Sequence, residues 1–374
     1  MKAIAVLPQG LEQEGAKELH DLGAKNLVVA NRSVSFEADM SSFYRMQLQS
    51  LLPFRFLREL GRFSCDSPKS LYFGVQNLLD SNNWLNPSMT FRVDVTGQTS
   101  ALNHTHFTAL QVKNALIDLQ REYWGKRSSI DVVEPDICFH LHLNRNIAVL
   151  SLASSSRSMH RRGYRVAMGK APLKENIAAG LIRLTGWNGQ VPIVDLFCGS
   201  GTFLIEAANI AFKKAPGLEK SFLIKNWVDF DSYLWEKETE KARNIQLKSR
   251  KIPYIEGCEN DPDIARQAEI NVINSKLDSH IIISKKYFNQ LSLPHQKGII
   301  VCNPPYGKRI GHDQDLESLY EEIGDFVKRN ASGWELWLLS GNKKLTRSIQ
   351  MKSSKRFPIS NGGIDCRWLQ YKIN

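Results

Sequence analysis

The hydrophobic pattern opens with a short strand, Lys2 to Pro8, followed by Leu11, Ala16, Leu19 and Leu22 at helical spacing. Residues 26–30 and 33–37 read as two strands about an Asn31-Arg32 turn, and residues 41–51 return to helical spacing. This βαββα order is that of a ferredoxin-like unit. The pattern next predicts a strand over 54–63, a helix over 68–79, a strand over 90–96 and a long amphipathic helix over 105–124. A hairpin of residues 137–143 and 148–153 follows, about Asn144-Arg145-Asn146. A helix over 171–184, with Pro172 in its first turn and Gly186 past its end, then leads into VPIVDLF from Val191. That near-continuous apolar run suits a strand buried on both faces. Strands over 254–259, 280–285, 298–302 and 335–339 alternate with helices, and two last strands between 356 and 373 flank the hairpin signal Asn361-Gly362-Gly363. The fold class is therefore α/β, a Rossmann-like domain preceded by an α+β region.

The run from Val191 ends in Asp195-Leu-Phe-Cys-Gly-Ser-Gly-Thr202, after which Phe203, Leu204, Ala207, Ala208 and Ala211 recur at helical spacing. Gly199 and Gly201 allow a ligand to approach the backbone at the first free N–H groups of the helix. No Lys follows and no third glycine completes GxGxxG, so a triphosphate or dinucleotide is a poor fit, and an acid before the turn suits a zwitterionic nucleoside such as S-adenosylmethionine. A plain strand–turn–helix would carry the same glycines. The turn supplies Asp195, Phe197, Cys198, Gly199, Gly201 and Thr202 as candidate cofactor residues, with a Cβ at Gly201 expected to intrude on the ligand. The end of the next strand supplies Glu259, placed to accept ribose hydroxyls, and its neighbour Asn260.

The second motif is Val301-Cys-Asn-Pro-Pro-Tyr-Gly-Lys-Arg309. Consecutive prolines hold the backbone extended and remove two N–H donors. The Asn303 side-chain oxygen and the Pro304 carbonyl can then face one spot, with Pro305 stiffening the loop and Tyr306 placed to stack on a base. Two acceptors gripping the hydrogens of a conjugated amine hold its nitrogen towards pyramidal. Asn303 thereby borders both substrate and cofactor.

DLFCGSGT and NPPYG together resemble the class I methyltransferases of exocyclic amino nitrogens. The string HRRGYRVAMGKAPLKENIAAGLI from His160, with APGL from Ala215, resembles the bacterial THUMP-domain family that methylates guanine N2 in 23S ribosomal RNA. The resemblance implies a ferredoxin-like piece over 1–60, a THUMP RNA-binding domain over 61–156 and a methyltransferase domain over 157–374. It also implies S-adenosylmethionine as cofactor, no metal, and RNA as partner, either 23S rRNA or a pre-ribosomal particle. Asn176, with Glu175, matches a family segment that lies against the cofactor pocket. The acid that in the family contacts the adenine amine is missing from IIISKKYFNQL, which leaves Asn289 or a backbone carbonyl as a substitute. Methylation of tRNA guanine, of DNA adenine N6 or of a protein glutamine amide, and a non-enzymatic RNA-assembly role, are the rival readings.

Charge changes the picture in one respect. The chain of 374 residues carries a net charge of +11, yet residues 1–156 hold 15 Lys+Arg against 15 Asp+Glu, so the excess lies in the rear. A front region that binds RNA must do so by shape and local patches. Arg157, Arg161, Arg162 and Arg165, with His160 and Tyr164 among them, form the dense basic cluster at the boundary, expected to contact RNA together with Lys308 and Arg309. A solvated linker would look the same. Six cysteines without CxxC spacing, no signal-like start and no apolar run of membrane length predict a reduced, cytoplasmic protein with no membrane contact and no obligate protein partner.

Overall fold

The computed structural model describes residues 1–79, 84–166, 172–247, 253–294, 297–306 and 313–374. The front region runs β1 (Lys2–Val6), α1 (Glu12–Asp21), β2 (Lys25–Ala30), β3 (Ser33–Glu37), α2 (Met40–Gln49), β4 (Arg55–Ser64), α3 (Pro68–Leu79), β5 (Thr90–Gln98), α4 (Thr105–Trp124), β6 (Ser129–Ile130), β7 (Ile137–Asn144) and β8 (Ile147–Ala153). Its strands form one eight-stranded sheet in the order β2-β3-β1-β4-β8-β7-β5-β6. The expected boundary at residue 60 falls inside β4. That strand pairs with β1 through residues 55–58 and with β8 from residue 57 to 64, so the two halves of the front share it.

The rear continues with α5 (Glu175–Thr185), β9 (Ile193–Asp195), α6 (Thr202–Ala211), α7 (Ser232–Leu247), β10 (Ile255–Glu259), α8 (Pro262–Asn274), β11 (Ile282–Lys285), β12 (Ile299–Cys302), α9 (Asp313–Asn330), β13 (Glu335–Ser340), α10 (Leu345–Ser348), β14 (Lys355–Asn361) and β15 (Ile364–Lys372). The seven-stranded sheet is ordered β11-β10-β9-β12-β13-β15-β14, parallel from β11 to β13 and closed by the antiparallel hairpin. Counted from β9 this is third, second, first, fourth, fifth, seventh, sixth, the class I order that the resemblance implies. β9 is buried on both faces, with Ile193 entering one hydrophobic cluster and Val194 the other. α5 begins four residues later than its pattern suggests: Lys174 is extended and the Leu173 carbonyl is taken by Arg165.

Residues 213–247 pack on the α2 face of the front region. Trp227 stacks on Phe43 with ring centroids 6.1 Å apart, and Trp235 meets the edge of Tyr44 at 5.3 Å. They belong to one buried cluster that runs from Ala3 to Ala242. Polar contacts follow the same line. The Glu238 carboxylate, fully buried, accepts from Arg45 Nε at 2.8 Å and Ser41 Oγ at 2.9 Å, and Arg58 pairs with Asp229. Among the described residues no helix is long and apolar enough to cross a membrane.

Candidate active site

Strand register brings the two motifs together. Asp195 on β9 is level with Gly257 on β10 and with Val301 on β12, so Phe197, Glu259 and Asn303 lie two residues further on, at the carboxyl edge of three neighbouring strands. The strand order reverses between β9 and β12, which opens the crevice where α/β sheets bind ligands.

Gly199 and Gly201 both adopt left-handed backbone, with φ of 51° and 80°. No side chain caps the N-terminus of α6 at Gly201, which leaves its first N–H groups to a ligand. The two glycines differ in what they face. A Cβ at Gly199 would meet nothing within 4 Å, whereas one at Gly201 would touch Ala268 of α8 at 3.6 Å. A side chain at Gly199 would therefore enter open space and one at Gly201 would rest against α8, while the positive φ of both positions favours glycine. The Glu259 carboxylate accepts the Gly199 N–H and the Asp261 N–H, each at 3.1 Å, which orients it beside the turn. Asp195 is sealed inside. Burial pushes its carboxyl up to about 8, against the opposing N–H of Phe197 at 3.1 Å. Burial also pushes the Cys198 thiol well up, which makes it an apolar filler rather than a nucleophile.

Phe197, half-buried, packs against the buried Phe288 with centroids 5.1 Å apart, and Asn260 and Asn289 are exposed. Thr202 accepts a hydrogen bond from Arg165 at 2.8 Å. Asn176 donates to the Leu52 carbonyl of the front at 2.9 Å, and its Oδ1 is buried without a partner among the described residues.

At the end of β12, Asn303 is half-buried, and its Oδ1 is sealed from solvent with no hydrogen-bond partner among the described residues. A buried acceptor left open costs on the order of 1–3 kcal/mol, so it marks a position that a donor would fill. Pro304 is buried and Pro305 half-buried. The Tyr306 hydroxyl accepts from Asn361 Nδ2 at 3.0 Å and lies 3.5 Å from Cys366 Sγ, so the terminal hairpin anchors the ring. By its local pattern Asn361 reads only as part of a turn; no local signal ties it to Tyr306. Gly307, Lys308 and Arg309 lie outside the described residues.

The boundary cluster divides. Arg157 and Arg161 are exposed, Arg157 paired with Glu134 at 3.0 Å. Arg162, Tyr164 and Arg165 are not available to RNA. The Arg162 guanidinium donates to the carbonyls of Leu51 and Met159 and lies 3.7 Å from Glu206, the Tyr164 hydroxyl donates to Glu206 at 3.0 Å, and Arg165 lies 3.7 Å from Glu175. Two buried carboxylates draw these groups inward, because an unpaired buried charge is costly. An acid inside the apolar run LIEAANIA was the available sign.

Against known protein families, residues 162–370 match the RMKL-like methyltransferase domain, 69–153 the THUMP domain and 2–55 the RlmL ferredoxin-like domain. The provisionally named RNA methyltransferase slr0064 of Synechocystis sp. is 38% identical over 99% of this chain and 96% of that protein. The ribosomal RNA large subunit methyltransferase K/L of Cellvibrio japonicus is 35% identical over 99% of this chain, which spans 51% of that longer protein. Among solved structures, the provisionally named methyltransferase SMU.472 complexed with SAH superposes with a TM-score of 0.90 at 25% identity, covering 100% of this chain and 98% of that one.

Proposed function

The chain belongs to the RMKL-like methyltransferase family, and from there we propose that it transfers a methyl group from S-adenosylmethionine to the exocyclic N2 amine of a guanine in RNA, with 23S rRNA the first choice of substrate. The observation that carries this reading is the open Asn303 Oδ1 at the switch point, level with the glycine turn. S-adenosylmethionine, when bound, supplies an electrophilic methyl group on sulfur. The α6 N-terminus and Glu259 hold its polar ends, the half-buried Phe197, backed by buried Phe288, borders its base, and Gly199 leaves it room. Asn303 and the Pro304 carbonyl would accept hydrogen bonds from the amine, so that the nitrogen lone pair points at the methyl; as the N–C bond forms the C–S bond breaks, its electron pair stays on sulfur in the departing S-adenosylhomocysteine, and the amine's surplus proton goes to solvent. Positioning of this kind is worth roughly 7–11 kcal/mol, and no strong base is needed.

The same grip serves any planar amine, so the product decides between guanine, adenine and glutamine. Incubation with ribosomal RNA and labelled S-adenosylmethionine, digestion and mass spectrometry should give N2-methylguanosine. Label in N6-methyladenosine, or none in RNA, would overturn the assignment. On the cofactor side, Gly199→Ala places a methyl group in the open side of the turn. An alanine at φ 51° also strains the turn by roughly 1–2 kcal/mol, so the variant should melt somewhat lower yet stay folded, and should bind S-adenosylmethionine roughly 5- to 150-fold more weakly by calorimetry, the range for overpacking a filled site. Unchanged affinity would show that the ligand does not cross Gly199.

A further inference from the structure

The end of α4 carries a feature that the active site leaves unused. Residues 121–127 read Arg-Glu-Tyr-Trp-Gly-Lys-Arg, and all seven are exposed. Tyr123 is 54% and Trp124 44% solvent-accessible, with ring centroids 6.2 Å apart at 55°. Two adjacent exposed aromatic residues are unusual on a protein surface. Three cations frame them. Lys126 and Arg127 have no hydrogen bond or ion pair among the described residues, and Arg121 reaches Asp118 at 3.4 Å in an exposed pair worth little. Glu122 and Asp118 are the nearby acids. The helix dipole accounts for cations at a C-terminus but not for the rings.

The segment is held on both sides. Gly125 ends α4 in left-handed backbone, its N–H donating to the Arg121 carbonyl at 3.0 Å. Three residues on, buried Ser128 donates its N–H to Gln120 Oε1 at 2.7 Å and its hydroxyl to the Asn86 carbonyl at 2.9 Å. β6 then joins the sheet edge beside β5. Rings and cations are thus shown from a fixed frame, which limits the ordering cost of binding.

We infer that the α4 terminus, with Trp124 and Tyr123 as a stacking platform and Arg121, Lys126 and Arg127 as phosphate contacts, is the surface by which the charge-balanced front region grips a single-stranded RNA segment. Unpaired bases offer faces that stack on aromatic rings, and their phosphates complete the charge. A protein partner would have no need of uncompensated cations beside the rings. The inference rests on RNA being the substrate, and its test separates the two.

Full-length protein is titrated into a fluorescein-labelled single-stranded RNA of about 12 nucleotides, read by anisotropy without cofactor across a salt series. Trp124→Ala should weaken binding roughly 5- to 150-fold, as for loss of one stacked base. Lys126→Glu with Arg127→Glu should lower the slope of log affinity against log salt by about 1.4. S-adenosylmethionine affinity should not change in either variant. Wild-type affinity in both variants would overturn this surface and leave the RNA reading standing, and a duplex competing as well as the single strand would overturn the stacking role. If the wild-type protein binds no RNA, the substrate reading fails and this inference with it.

Discussion

Asn303→Ala is expected to lower the single-turnover rate of methyl transfer by about 100-fold or more, the scale for losing one preorganised transition-state contact. RNA and S-adenosylmethionine affinities should change little, because the amide oxygen grips the amine hydrogens fully only as nitrogen becomes tetrahedral. The open Oδ1 has a second consequence: removing it relieves a buried unpaired acceptor, so the variant should be no less stable than the wild type. Loss of activity with an unchanged or raised melting temperature is the signature to look for. Tyr306→Ala should differ, weakening RNA binding and turnover together, since the half-buried ring is held by Asn361 for stacking. An Asn303→Ala enzyme of normal rate would end the acceptor mechanism.

The second large effect concerns residues 157–374 made alone. The domain bounds read from the sequence would leave such a fragment able to bind cofactor while methylating RNA poorly, yet Phe222, Ile224, Trp227 and Trp235 of the rear are buried in the same cluster as the front residues. Exposing these four at roughly 1.5–3 kcal/mol each removes about 6–12 kcal/mol, comparable to the whole stability of a domain. The fragment should therefore melt without cooperativity or aggregate, while the full chain melts sharply. A cooperative transition in the fragment near that of the full chain, followed by calorimetry, would show that residues 213–247 repack by themselves.

Legibility in the sequence followed the range of the interactions. α4 was readable to the residue, because its apolar stripe and the glycine at its end are local. The seven-stranded sheet was readable because βα alternation and the Asn361 turn leave few topologies. Asp195, Glu259 and Asn303 could be placed at one edge for the same reason. The fate of Arg162, Tyr164 and Arg165 was not legible: arginine and tyrosine serve RNA and a buried carboxylate equally well, and Glu206 lies 42 residues beyond Tyr164. The aromatic residues between 222 and 235 were a hint that this segment had a partner, but the partner is the α2 face, far upstream in the chain.

β4 also limits how this chain can vary in length. Leu57 and Arg58 have a register partner on both edges at once, on β1 on one side and on β8 on the other, with the irregularity at residue 60 just beyond. A single inserted or deleted residue between 55 and 59 would invert every side chain downstream relative to one neighbour or the other, sending Leu57 outward or Arg58 inward. Bulges can absorb one such slip, and β4 already contains one. Descendants of this sequence should accordingly carry their insertions and deletions in the loops, with the residue count across β4 held fixed while its side chains drift.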